Sequence, residues 1–231
     1  MMHAKQREES SMSSSDCIEA LAAQYSAAMP DLDPDLQRAA LTSLRLLAQG
    51  KPVELRRLAE ALALPAAVLD EALDTAPGVF RDELRRVTGF MGLSVVEVGD
   101  HRLHLQGRTL SARCAFDTLF LPELIGETAR VSSRCPATGA GISLMVTPAG
   151  VADLAPSEAM VSYLVPERRF DADVVQSFCD FVYFLASPDA AAAWTAEHPG
   201  TFPLPVDDLY RLGRLTNRAS FGAALGAGGT G

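Results

Sequence analysis

The side chains in this 231-residue sequence best able to grip a soft metal are four cysteines: Cys17, Cys114, Cys135 and Cys179. Cys114 stands where an extended stretch gives way to a helical one, Ala115-Phe116-Asp117. A thiol at a helix N-terminus feels the positive end of the backbone dipole, which favours thiolate, and Arg113 beside it acts in the same direction. Asp117 follows three residues later, so one helical turn brings its carboxylate beside that sulfur. Cys179 comes far along the chain, in Gln176-Ser177-Phe178-Cys179-Asp180-Phe181. Spacing alone does not bring Cys114 and Cys179 together. By type alone, each cysteine fits a buried small apolar position better than a reactive one.

Other chemistries are excluded by pattern. No CxxC occurs, so a zinc ribbon or finger is ruled out. His101 and His104 are three apart on an expected strand and therefore face opposite sides of a sheet. There is no GxSxG, HExxH or P-loop. The Gly-rich end after Gly222 follows no strand and precedes no helix, so it is no phosphate cradle. A net charge of −9 argues against nucleic acid or anionic lipid as the main partner. No apolar run approaches the roughly 18 residues of a membrane helix. The polar, Ser-rich start lacks a secretory signal, which implies the cytoplasm and free thiols.

The elements that must position these residues imply an α+β fold. Residues 1–30 read as a flexible lead-in with a short amphipathic piece, Ile18 to Ala28, able to dock on the body. Residues 31–92 read as a winged-helix-like helical domain. Asp33 caps a helix opening with Pro34, whose Leu36, Ala40, Leu44 and Leu47 form a stripe that Gly50 ends. Two further helices follow, about Val53–Leu62 and Pro65–Thr75. DNA binding through them would need a basic face, yet this module holds ten acids against eight bases.

Residues 93–220 read as a catalytic domain of short mixed or antiparallel strands with flanking helices, and 221–231 as a flexible tail. Strands are expected at Ser94–Val98, Arg102–Gln106, Thr109–Arg113, Thr128–Ser133, Ile142–Thr147, Met160–Val165 and Phe181–Leu185. Helices are expected at Ala115–Ile125, broken by Pro122, and at Asp171–Cys179, Asp189–His198 and Val206–Arg218.

Two blocks carry a family resemblance. They are Cys114-Ala-Phe-Asp-Thr-Leu-Phe-Leu-Pro-Glu-Leu-Ile-Gly126 and Thr128-Ala-Arg-Val-Ser-Ser-Arg-Cys-Pro-Ala-Thr-Gly139. With Ser177-Phe-Cys179, Phe181-Val-Tyr-Phe184 and Trp194, the chain resembles the organomercurial (alkylmercury) lyases from about Asp31 to Arg218. The resemblance implies that Cys114 and Cys179 are the mercury-binding thiols and Asp117 the acid beside them. Phe116, Leu119 and Phe178 are then expected to line a substrate pocket. Cys135 falls at a further family cysteine, read as structural. Arg113 stands where well-known members carry an aromatic residue, and Asp180 where some carry another cysteine; both positions bear on substrate preference and metal release.

The reaction so implied is protonolysis of a carbon–mercury bond, giving a hydrocarbon and Hg(II). Soft sulfur suits soft mercury. A second thiolate adds electron density to the bound carbon, and a nearby acid protonates it. No organic cofactor is implied. Organomercurials are the substrates, and small thiols or a mercuric reductase would remove the Hg(II). Two rival readings share these residues: a mercury- or redox-responsive DNA-binding regulator, and a non-catalytic metal binder. Mere binding has no need of the proton donor Asp117.

Overall fold

The computed structural model of the chain describes residues 14–227. The serine-rich patch before Ser14 and the last four residues lie outside it.

The lead-in is ordered from Ser14. Helix α1 (Ser14–Ala28) buries Ile18, Leu21, Ala22, Tyr25 and Ala28. That stripe docks on the C-terminal helix α8 (Val206–Ala227), as the apolar period at Ile18–Ala28 implies. Helix α8 runs nine residues beyond the expected end at Arg218, through a stretch whose glycines suggested fraying.

Helix α2 (Pro34–Leu47) begins as its sequence dictates. The Asp33 carboxylate accepts the backbone N–H groups of Asp35 and Leu36, each at 2.9 Å, and Pro34 fills the first turn. Ala40, Leu44 and Leu47 are buried, but Leu36 is half exposed because the first turn overhangs a cavity. Helices α3 (Leu55–Leu62) and α4 (Ala66–Thr75) follow, separated at Leu64-Pro65. The hairpin of β1 (Val79–Arg81) and β2 (Val87–Phe90) comes next.

The hairpin's arginines are neutralised from within. Arg81 meets Asp70 at 2.6 Å and Asp74 at 2.8 Å, and Arg85 meets Asp74 at 2.8 Å. Both acids sit on α4, the third helix of the unit, which leaves that face without a basic footprint for phosphates.

The hairpin also joins the rest of the molecule. With β3 (Leu93–Ser94), β4 (His101–Leu105), β5 (Arg108–Ala112), β6 (Ala129–Arg134), β7 (Gly141–Thr147) and β8 (Gly150–Ala155), it forms one eight-stranded sheet. Its order is β1-β2-β3-β5-β4-β6-β7-β8, and every pairing is antiparallel. A smaller antiparallel sheet has the order β10-β9-β11, from β9 (Met160–Tyr163), β10 (Phe184–Leu185) and β11 (Phe202–Pro205).

Three expectations need correcting, and not every strand was foreseen. The strand expected over Ser94–Val98 ends at Ser94, whose hydroxyl accepts from Val96 N–H and donates to Val96 C=O, curling the chain locally. Pro122 does not break α5 (Ala115–Ile125), because that helix is buried on every side except at Glu123 and its packing outweighs one missing N–H. The helix expected over Asp171–Cys179 shrinks to α6 (Val174–Ser177), followed by a 3₁₀ turn at Cys179–Phe181. Strand β8 was not expected. It is a largely exposed edge, so its sequence lacks the alternation that marks a half-buried strand.

Helix α5 lies against the large sheet, and α8 crosses it closely. A Cβ on Gly213 would sit 3.0 Å from that of Phe120, so glycine eases this close approach. Asn217 of α8 donates to the Phe120 carbonyl at 3.0 Å and to Glu123 at 2.9 Å. Helix α7 (Pro188–Glu197), capped by Ser187, packs on the smaller sheet.

Candidate active site

Cys114 is the N-cap of α5, placed there because β5 ends at Ala112 and α5 opens at Ala115. Asp117 turns back and accepts the Cys114 backbone N–H at 2.9 Å, while the Cys114 sulfur faces the Asp117 N–H in return. This is a capping box with sulfur in place of a hydroxyl.

Cys179 reaches the same point from the other segment. Phe178, with φ −139° and ψ −61°, breaks α6 where its ring enters an aromatic cluster. Its partners there are Tyr25, Tyr163 and Phe170, with ring centroids 5.6, 5.7 and 5.4 Å away. Beyond the 3₁₀ turn, the Val182 carbonyl accepts the Ala115 N–H at 3.0 Å, tying the Cys179 segment to the start of α5. As a result one ligand atom each from Cys114, Asp117 and Cys179 lies within 4.8 Å of the others, and all three residues are buried.

Electrostatics at this point are set by burial. The Asp117 carboxyl is pushed up to about 7, first by desolvation, against the opposing pull of its hydrogen bonds to Cys114 and the charge of Arg113. Burial, a hydrogen bond with the Cys179 thiol and the charge of Asp117 push the Cys114 thiol well above its usual range. The dipole and Arg113 therefore do not make Cys114 a resting thiolate, as its place at the helix start suggested; desolvation prevails. Tyr25 is raised likewise, by burial and then by Asp117 and Cys114.

Gly92, in the turn between β2 and β3, presses directly on the acid. A Cβ there would lie 2.2 Å from the Asp117 Cγ, and Gly92 has φ +85°. Its carbonyl also accepts the Arg113 N–H at 2.9 Å. No other residue type fits without displacing the carboxyl.

A cavity of about 350 Å³ opens from Asp117 and Cys179 and runs in among the N-terminal helices. Its walls are mainly apolar, with Leu36, Leu69 and Leu73 from the helical unit and Phe80 and Phe90 from the hairpin. Phe178 lines it. Phe116 and Leu119, expected to do so, are buried but stand behind the wall, and Phe120 lines the cavity from α5 instead. Helical phase accounts for this, since Phe120 is one turn beyond Asp117 on the same face.

The remaining cysteines lie elsewhere. Cys17 is exposed on α1. Cys135 is buried in the turn before β7. Desolvation there raises its thiol, yet the Thr138 hydroxyl and the backbone N–H groups of Ala186, Thr138 and Ala137 together hold it below the usual range. It thereby links the β6–β7 turn to the end of β10. His101 and His104 face opposite sides of β4, one buried and one half-buried, and bond to Ser133 and Ser132, each at 2.9 Å.

Sequence reasoning missed Gly92, Tyr25 and Tyr163. Only Gly92 left a signal, a Met-Gly turn between two short strands.

Two buried thiols and a carboxyl able to hold a proton near neutrality, set at the end of an apolar chamber, form a donor set that could hold a soft metal ion, with an acid beside it. The family model for MerB, alkylmercury lyase, matches residues 97–217. An alkylmercury lyase of Pseudomonas putida is 43% identical over 175 residues, 76% of this chain and 81% of the relative. One of Staphylococcus epidermidis is 40% identical over 171 residues, 74% of this chain and 77% of the relative. The chain belongs to the alkylmercury lyase family. The fold is that of a solved mercury-bound MerB2, with TM-score 0.69 and 20% identity, covering 87% of this chain and 97% of that one.

Two measurements check this geometry. Gly92→Ala is expected to destabilise the chain by roughly 1–3 kcal/mol more than Gly107→Ala, by urea unfolding. Gly107 has a similar φ of +81° but open space around it. Equal losses would show that Gly92 matters only for its backbone angle.

The second concerns pH. Because Asp117 titrates near 7 when folded against 3.8 in its ordinary state, the folded chain binds more protons than the unfolded chain across that window. Its contribution is most favourable below about pH 4 and is lost as pH rises through 7, by on the order of 4 kcal/mol. The stability of the wild type relative to Asp117→Asn should therefore fall between pH 4 and 8. A flat difference would mean that the carboxyl is not desolvated.

Proposed function

We propose that this chain is an organomercurial lyase that cleaves carbon–mercury bonds by protonolysis as part of mercury resistance. The observation that carries the reading is the convergence of Cys114, Asp117 and Cys179 within 4.8 Å beside an apolar chamber. An organomercurial R–Hg–X brings its own metal, so no organic cofactor is needed. One thiol binds mercury, displaces X and releases its proton; X leaves as HX. The second thiol then binds, and its proton passes to Asp117, which is suited to hold one near neutral pH.

Two sulfurs on mercury donate electron density to the carbon. Asp117 then delivers its proton to that carbon, giving R–H and Hg(II) held by two thiolates. Two thiol protons thus end as one on carbon and one on X. Proximity supplies much of the gain, since acid and carbon are held in one enclosure. The chamber takes R, with Phe178 on its wall and Phe116 and Leu119 behind.

Release of Hg(II) falls to small thiols or the cysteines of a mercuric reductase, by ligand exchange. The reading sets this chemistry in the cytoplasm, where reduced thiols are abundant. No helix among the described residues is long and apolar enough to cross a membrane. The unit from 31 to 92 is taken as winged-helix-like in form, serving as the chamber's wall, with 93–220 as the catalytic part.

Benzene release from phenylmercuric acetate with excess thiol tests the reading directly. Cys179→Ser should fold and lose cleavage; near-normal benzene release would remove Cys179 from the site. Asp117→Ala should still bind phenylmercury but slow benzene release by roughly 10²–10⁴-fold, the usual worth of a general acid. Unchanged turnover would refute its role.

A further inference from the structure

Arg113 is the cationic side chain on the wall of the chamber beside the catalytic carboxyl. Its guanidinium carbon lies 4.2 Å from the centre of the Phe80 ring, also on the wall. Its Nε is buried and meets no hydrogen-bond partner. The contrast with other partly buried arginines is sharp. Arg81, Arg86 and Arg108 each meet a carboxylate, at 2.6, 2.7 and 2.6 Å. Among the described residues Arg113 has no such ion pair.

The two acids on the cavity wall do not supply one. Asp31 is held by Arg169 at 2.8 Å. Asp117 bonds the Cys114 N–H, and on the lyase reading it holds a proton before cleavage. A guanidinium partly withdrawn from water and stacked on one aromatic face is prepared for a planar anion, which it binds through paired N–H donors.

We propose that Arg113 is a specificity residue that receives a carboxylate carried by the organomercurial complex. This rests on the lyase reading and names its preferred substrates. The carboxylate has two possible sources: the organic group on mercury, or the thiol that accompanies mercury into the site. Both place an anion beside the Phe80 ring while the metal reaches the cysteines.

The test uses the full chain and four combinations: phenylmercury or 4-carboxyphenylmercury, each with excess 2-mercaptoethanol or 3-mercaptopropionate. The wild type is expected to favour a carboxylated combination by about tenfold in kcat/KM, the scale of one charge-assisted contact. The preference should sit mainly in KM. A preference for 4-carboxyphenylmercury with 2-mercaptoethanol assigns the anion to the organic group. A preference for phenylmercury with 3-mercaptopropionate assigns it to the thiol.

Arg113→Met should abolish the preference, and Arg113→Lys should keep part of it. Loss of all four activities in parallel, with the ratio intact, would overturn the proposal, as would a wild type with no preference. Benzoate binding by calorimetry, compared with benzyl alcohol, separates this from the lyase reading. Benzoate binding that disappears in Arg113→Met supports the subsite even where no combination is turned over, a result that would sink the lyase reading alone. Benzoate binding equal in wild type and Arg113→Met overturns the subsite whatever the turnover.

Discussion

The hydrogen bond from the Cys114 N–H to the Asp117 carboxyl, made out of reach of water, is the contact on which the site depends. In an ordinary helix such a cap is a stabilising detail at the surface, where the carboxylate is ionised and solvated. Here the same carboxyl is 5% exposed and lies under the backbone of Gly92. The helix start and Arg113 favour its charge; desolvation opposes it and wins, bringing the group to about 7. A carboxyl at that value both accepts and gives up a proton near neutrality, which a surface cap does not do. The capping geometry also fixes it within one turn of the sulfur, while burial, against the pull of that same hydrogen bond, sets its acidity.

The second constraint is the one that brings Cys179 home. The chain has no local reason to carry that residue to the start of α5. It arrives because Phe178 leaves its helix to join the ring cluster and because Val182 accepts the otherwise unpaired Ala115 N–H. A helix start has free N–H groups that must find acceptors. Using a carbonyl from the Cys179 segment satisfies one of them and sets the two sulfurs together. Helix capping, aromatic packing and the meeting of the two thiols thus rest on the same few contacts.

How much of this was legible in the sequence follows from how local each cause is. Asp33 and Pro34 announced their helix because a cap is a contact within four residues. The position of Asp117 beside Cys114 was legible for the same reason. Phe178 lies on the cavity wall, whereas Phe116 and Leu119 lie on other sides of α5, and which side faces the cavity depends on which face the sheet covers. The convergence of Cys114 with Cys179 came from family resemblance and not from spacing, because it rests on a hydrogen bond between segments remote in sequence. Arg113 and the helix dipole read in isolation suggest a thiolate. The three-dimensional burial that reverses this is invisible to a local reading. Likewise the strand expected over Ser94–Val98 stops at Ser94, because the Ser94 hydroxyl bonds the Val96 backbone, a competition that an apolar pattern does not reveal.

The helical unit gains its meaning from the cavity. A module of three helices and a hairpin invites comparison with DNA-binding domains, yet its third helix spends its acids on the hairpin's arginines. Its apolar side is turned toward the thiols, with Leu36, Leu69 and Leu73 on the chamber wall. The hairpin continues into the main sheet, which fixes Phe80 and the Met91-Gly92 turn over Asp117. Helix α1 closes another side through Tyr25, whose ring meets Phe116 at 5.0 Å and Phe170 at 5.2 Å. Burial is the first cause raising both the acid and the Cys114 thiol, with Cys179 and Asp117 adding to the latter. The N-terminal residues therefore form much of the apolar surroundings of the Cys179 thiol and the Asp117 carboxyl.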